Sequence, residues 1–269
     1  LGDNLYSDSV LAFDADTGKL KWYYQFTPHD TMDYDATQVP VLADIQYQGR
    51  PRKVMLWANR NGLFYVLDRT TGEFLMGKPF IKANWLTGFD EKGRPMRVAG
   101  QQDSPTPLLV QPNGLGGTNW YPPSYSPHLG LFVIPGWENS GTMVAKNTGF
   151  GRATGDTPMA QPNLIPNRKT EEEGYGTVRA FDPKTGERKW EYKMNDITWA
   201  GVLTTASDLV FSGGREGYFY ALDGKSGTLL WKQNLGGQVN SGPMSYMVNN
   251  RQYVAVAAGS ALFVYALRQ

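Results

Sequence analysis

The chain has no cysteine and only two histidines, His29 and His128, in 269 residues. Without thiols it has no disulfides, no thiolate metal sites and no attachment point for a c-type haem. Two isolated histidines do not make a His-based metal site; each reads as a turn or core residue with a satisfied hydrogen bond. No sign of charge dominates, since 26 Lys and Arg meet 25 Asp and Glu. A net charge of +1 gives no electrostatic case for nucleic acid or an anionic membrane as partner. No apolar run approaches the length of a membrane span. Sustained helical periodicity is missing, and no phosphate-cradling Gly loop or nucleophile elbow stands out.

Glycine, proline and aromatic residues are plentiful. The 31 Gly and 17 Pro are spread through turns, and 8 Trp suit stacked sheets that need large flat side chains between them. Four times the sequence writes a strand ending in Asp, a Thr/Ser-Gly pair, and a bulky residue four positions after the Gly. The copies run from Asp14 through Gly18 to Trp22, Asp68 through Gly72 to Met76, Asp182 through Gly186 to Trp190, and Asp223 through Gly227 to Trp231. Asp and Thr/Ser start such a turn, and Gly takes its positive-φ position. A repeated unit of this kind predicts an all-β fold, a β-propeller, in which Trp22, Trp190 and Trp231 dock between successive sheets.

Hairpin signals fill the intervals. Two β-rich runs flank Asn59-Arg60-Asn61-Gly62, two flank Gly214 to Gly217, and two flank Gly259-Ser260. The motif glycines are spaced by 54, 114 and 41 residues. The long gap has room for one more unit, expected over Asn119 to Trp137, and for a long surface loop at about 138–173. The expectation is one partial propeller domain over 1–269, with four to five blades of about 40–50 residues. The opening Leu1-Gly2-Asp3-Asn4 reads like a loop in mid-protein, so a fragment, a processed piece or one half of a split assembly is expected.

The densest polar cluster is Thr27-Pro28-His29-Asp30-Thr31-Met32-Asp33-Tyr34-Asp35. If Asp33 to Asp35 is extended, the two carboxylates share a face. Like charges so placed raise one another's pKa unless a cation lies between them, and paired oxygens suit Ca²⁺ or a trivalent ion. A solvated acidic loop is the competing reading of the bare pair.

This cluster, followed by Asn59-Arg60-Asn61-Gly62-Leu63-Phe64-Tyr65-Val66-Leu67-Asp68-Arg69, resembles the active-site stretch of the pyrroloquinoline quinone (PQQ)-dependent methanol and ethanol dehydrogenases. Gly2-Asp3-Asn4-Leu5-Tyr6, Gly116-Gly117-Thr118-Asn119-Trp120 and Thr198-Trp199-Ala200-Gly201 are similar to further motifs of that family, in the same order. The resemblance covers the C-terminal half of those enzymes and implies part of an eight-bladed propeller. It implies Asp33 as the carboxylate that takes the alcohol proton and approaches the metal. Asp35 matches the extra acidic position of the lanthanide-dependent type, so the implied metal, held by Asp33 and Asp35, is a lanthanide(III) ion or Ca²⁺. Arg60, Asn119, Trp120 and Trp199 match residues around the quinone, although a propeller Trp also serves as docking or core residue.

The resemblance further implies a periplasmic enzyme that oxidises a small alcohol and passes electrons to a c-type cytochrome. It would be completed by the N-terminal propeller half or by a second copy. The rivals are a non-catalytic scaffold of the outer-membrane assembly type and a half-propeller inactive without its other blades.

Overall fold

The computed structural model describes residues 2–101, 104–144 and 174–267, and these contain no helix. They divide into two compact units, one within Leu1–Asn119 and Glu138–Gly174, the other within Trp120–Trp137 and Tyr175–Gln269.

The first unit opens with an antiparallel pair, β1 (Ser9–Phe13) and β2 (Leu20–Gln25). A four-stranded sheet follows in chain order: β3 (Val41–Tyr47), β4 (Arg50–Ala58), β5 (Leu63–Asp68) and β6 (Phe74–Pro79). Strand β5 is buried along its whole length, which matches its unbroken apolar run. Two short pairs complete the unit: β7 (Leu86–Phe89) with β8 (Pro95–Arg97), and β9 (Leu108–Val110) with β12 (Thr142–Val144). Its core joins Tyr24, Phe26, Trp57, Tyr65 and Trp85 to Met32 and Tyr34 of the polar cluster.

In the second unit β10 (Ser124–Ser126) and β11 (Leu131–Glu138) share a sheet with β13 (Tyr175–Phe181) and β14 (Arg188–Met194). A second four-stranded sheet contains β15 (Leu203–Thr204), β16 (Leu209–Gly213), β17 (Tyr218–Asp223) and β18 (Leu229–Asn234). The last sheet has three strands, β19 (Met244–Val248), β20 (Arg251–Ala258) and β21 (Ala261–Tyr265).

The stretch from Asn119 to Trp137 therefore does not form a unit of its own. Its two strands are the first half of the sheet whose second half carries the Asp182–Trp190 motif. The long loop expected at 138–173 gives way at its start to β12, and from residue 145 onward it lies outside the described residues.

All four Asp-Gly turns close in the same way. The carbonyl of Asp14, Asp68, Asp182 or Asp223 accepts from the amide of its glycine at 2.8–2.9 Å. The Asp carboxylate accepts from one or two amides within the turn, as at Thr17, Thr70, Lys184 and Ser226. The four glycines have φ between +66° and +78°, which costs an L side chain but not Gly.

These glycines also seat the tryptophans. A Cβ on Gly72 would come within 2.8 Å of the Trp22 ring, and one on Gly227 within 2.6 Å of the Trp190 ring. Trp190 is further fixed by Nε1–H donating to the Gly224 carbonyl at 2.8 Å. The indole of one motif thus lies on the turn of the next. Trp231 departs from this pattern. It meets Tyr265 of β21 edge-on at 5.3 Å and stays 39% exposed, because the three-stranded sheet offers no Asp-Gly turn to cover it.

Candidate active site

The turn Asn59–Gly62 links β4 to β5 and is built from side-chain amides. Asn59 donates its backbone N–H to Leu63 O at 2.9 Å and accepts from Gly62 N at 3.1 Å. Its Oδ1 accepts from Asn61 N at 2.9 Å, and Asn61 Oδ1 accepts from Leu63 N at 3.1 Å. Asn61 Nδ2 reaches Thr27 Oγ1 at 3.0 Å and Tyr65 OH at 2.8 Å, while Trp85 Nε1–H donates to Asn61 O at 2.7 Å. Both asparagines are fully buried. These buried bonds together hold the turn in place.

Arg60 projects from this turn and is itself buried, at 7% exposure. Nη1–H donates to Asp35 Oδ2 at 2.7 Å and Nη2–H to Gly114 O at 2.5 Å. The loop 113–119 wraps the residue closely: Gly117 N–H donates to Arg60 O at 2.9 Å, and a Cβ on Gly116 would strike Arg60 Cβ at 2.6 Å. The third nitrogen, Nε, is buried and its N–H has no partner among the described residues. A buried guanidinium N–H left without an acceptor is a costly group, and its natural occupant is an oxygen acceptor supplied by a ligand.

Asp35 and Asp33 come from the segment that follows β2. Asp30 shapes it: one carboxylate oxygen accepts from Met32 N at 2.8 Å and the other from Tyr34 N at 2.7 Å. Met32 and Tyr34 turn inward, and the Tyr34 hydroxyl donates to Pro112 O at 2.8 Å. Asp33 and Asp35 are left on the exposed side. The expected common face is there, but no strand produces it. Asp33 and Asp35 have φ of +62° and +36°, a left-handed geometry that non-glycine residues hold only where their surroundings enforce it. Burial raises the pKa of Asp33, the Asp35 carboxylate raises it further, and Arg60 opposes both.

Asn119 lies half-buried at the end of the loop that wraps Arg60 and donates Nδ2–H to Leu115 O at 2.9 Å. Asp33, Asp35, Arg60 and Asn119 thus belong to two loops and one turn of the first unit that touch one another. Trp120 and Trp199 belong to the second unit. Trp120 is 54% exposed beside Tyr121, and Trp199 sits between Trp137, 6.4 Å away, and the Arg215 guanidinium at 5.2 Å.

Two residues escaped the sequence reading of the site. Asp30 was within the polar cluster, and its place two and four residues before Met32 and Tyr34 is a local-capping signal. Asp8 sits under the Asn59 turn and has no such signal. Among the described residues no three His, Cys, Asp or Glu side chains are grouped to hold a metal. Asp33 and Asp35 therefore fit as part of a donor set and not as a complete one, while the orphaned Arg60 Nε–H fits a quinone oxygen.

Residues 1–78 match the family described as glucose/ethanol/alcohol dehydrogenase, beta-propeller domain, and residues 174–267 match outer membrane protein assembly factor BamB. The quinohemoprotein alcohol dehydrogenase of Comamonas testosteroni is 39% identical over 96% of this chain and 37% of its own length. The crystal structure of the Comamonas enzyme superposes with a TM-score of 0.85 at 37% identity, covering 97% of this chain and 40% of that one. The 1-butanol dehydrogenase (cytochrome c) of Thauera butanivorans is 38% identical over 96% of this chain and 38% of its own length. A europium-containing methanol dehydrogenase superposes with a TM-score of 0.78 at 30% identity, covering 94% of this chain and 45% of that one. The chain thus spans about two fifths of the length of the relatives it matches. Over the stretch it shares with them, the chain belongs to the quinoprotein alcohol dehydrogenases and has their all-β propeller fold.

Proposed function

We propose that this chain supplies the acid–base and cofactor-facing residues of a periplasmic, PQQ-dependent oxidation of a primary alcohol to its aldehyde, with electrons passing to a c-type cytochrome. The observation that carries the proposal is Arg60. Its guanidinium is buried, anchored at two nitrogens, and keeps a third N–H without an acceptor beside the Asp33–Asp35 pair. A buried unsatisfied donor costs stability, and this one, beside two carboxylates, favours a ligand-binding role over a scaffold.

PQQ would be held by Arg60 through Nε–H, with Asn119 of the same unit as a further contact, and would supply the electron acceptor. Asp33 and Asp35 would hold a lanthanide ion or Ca²⁺ as Lewis acid. Asp33 removes the alcohol hydroxyl proton: its raised pKa makes it a better base than an ordinary exposed carboxylate. Arg60 keeps Asp35 in place and presents positive charge where negative charge develops on the acceptor. The blades that complete the ring would come from an N-terminal half or from a second copy.

The match of residues 174–267 to the assembly factor supports the scaffold reading for the second unit alone. The test loads the intact protein with PQQ and either La³⁺ or Ca²⁺ and follows alcohol-dependent reduction of a c-type cytochrome. Turnover with either ion supports the enzyme. Failure to bind PQQ with both ions refutes it.

A further inference from the structure

Asp8 is a buried acid that the proposed chemistry leaves unused. It precedes β1, is 8% exposed, and its backbone carbonyl accepts from Phe26 N at 2.8 Å. Its Oδ1 accepts from Asn59 Nδ2 at 3.3 Å, the Thr27 hydroxyl also favours its charged form, and Oδ2 is shut off from solvent with no partner at hydrogen-bond distance among the described residues. Asp68, also buried, has the Arg52 guanidinium at 2.9 Å. Among the described residues Asp8 has no such ion pair. The charged groups that act on it are the Asp30 and Asp35 carboxylates, and the buried Tyr34 and Tyr65 phenols feel its charge. The cations nearby are otherwise engaged, Arg60 by Asp35 and Arg97 by Asp30 and the carbonyl of His29.

Asn59 links this acid to the site. Its side chain is held at both ends, by Asp8 at Nδ2 and by the Asn61 amide at Oδ1. Its main chain closes the turn at both N–H and C=O. The residue immediately before Arg60 is therefore clamped by a bond whose acceptor is Asp8.

We propose that Asp8 is a positioning residue that fixes the Asn59–Gly62 turn, and with it the aim of Arg60, in a manner that depends on the proton it carries. The grip on the turn stands on geometry alone; only what Arg60 faces rests on the PQQ reading. Burial pushes the Asp8 carboxyl up to about 7, the Asp30 and Asp35 carboxylates push the same way, and the Thr27 hydroxyl and Asn59 amide resist. Below that pH the neutral acid accepts from Asn59 at no electrostatic cost. Above it, an uncompensated negative charge sits beneath the turn, strengthening the Asn59 bond but opposing any anionic ligand. PQQ carries carboxylates, so its affinity falls as Asp8 ionises.

The test uses the intact, cofactor-free protein labelled with ¹⁵N-asparagine, with Asp8→Asn and Asp8→Ala beside it. Asp8→Asn keeps an Oδ1 acceptor and cannot ionise. The Asn59 side-chain amide resonances are expected to titrate near pH 7 in the unmodified protein and to stay fixed in Asp8→Asn. Resonances that do not move across that range, or that move equally in Asp8→Asn, overturn the proposal. PQQ affinity, read by tryptophan quenching, is expected to fall several-fold across the same range in the unmodified protein and to be flat in Asp8→Asn. Asp8→Ala, which strands the Asn59 amide, weakens binding at every pH. The same pH dependence in Asp8→Asn as in the unmodified protein would overturn the role toward Arg60. If the unmodified protein takes up no PQQ at any pH, the proposed function fails and the amide titration alone decides Asp8. If Asp8→Ala does not fold, the comparison with Asp8→Asn still decides it.

Discussion

Gly18, Gly72 and Gly227 occupy the same turn with nearly the same backbone, φ +66°, +78° and +71°, but differ in what lies above them. An added methyl meets nothing within 4 Å at Gly18, the Trp22 ring at 2.8 Å at Gly72, and the Trp190 ring at 2.6 Å at Gly227. Alanine at Gly18 should then lose only the left-handed preference, about 1 kcal/mol. At Gly227 the indole cannot withdraw without stretching its bond to Gly224 O, since it is 6% exposed and packed on all sides. Overpacking adds about 1–3 kcal/mol and a weakened hydrogen bond up to about 1, for a total near 2–5 kcal/mol. Gly72→Ala should fall between the two. Urea unfolding of the three variants measures the order, and Gly227→Ala in a Trp190→Ala background measures the coupling, where its cost should shrink to about 1 kcal/mol. Three equal losses, or an undiminished cost without the indole, would refute the docking argument.

Asp33→Asn keeps the shape of the acid but removes the base, so turnover should drop ~10²–10⁴-fold while PQQ titration is little changed. Arg60→Ala should weaken both, because it removes the charge and the free donor together. Asp35→Ala frees Arg60 Nη1 and removes one carboxylate, so activity ratios should shift from La³⁺ toward Ca²⁺; equal ratios before and after would exclude Asp35 as a ligand. Asp8 also predicts a pH-dependent stability for the metal-free protein. Its native pKa of about 7 exceeds the usual 3.8, so the native state binds the extra proton in that window and stability falls as pH rises through it. Three pKa units correspond to about 4 kcal/mol, complete above pH 7, and Asp8→Asn should flatten this part of the urea-midpoint curve.

The turns were legible because their chemistry is local. Asp, Thr or Ser, and Gly within five residues dictate their own hydrogen bonds, and the Asn-Gly hairpin declares itself in the same way. The pairing of β11 with β13 was hidden, since their partnership spans more than 35 residues and leaves no mark in either strand. The turn at Asp90 was missed for lack of the Thr-Gly pair, yet it accepts from Lys92 and Arg94, and Phe74 covers Gly93 as the tryptophans cover their glycines. Asp33 and Asp35 were read onto one face for the wrong local reason: bonds from Asp30, not an extended strand, turn them outward. Asp8 was invisible. A lone Asp between two serines reads as loop, and its burial comes from Phe26 and Asn59, which only the fold brings to it.

The Asn61-Gly62 dipeptide is, in an unfolded chain, the sequence most prone to spontaneous deamidation, because glycine lets its own amide nitrogen attack the preceding side-chain carbonyl. Here that attack is blocked. Asn61 Oδ1 is engaged by Leu63 N, Nδ2 by Thr27 and Tyr65, and no solvent reaches the residue. The folded turn therefore preserves a bond that would otherwise decay. Each excursion that opens it exposes the asparagine to a reaction that does not reverse, and the product places a carboxylate next to Arg60. Chemical ageing of this protein should begin at its candidate active site, at a rate set by how often that turn lets go.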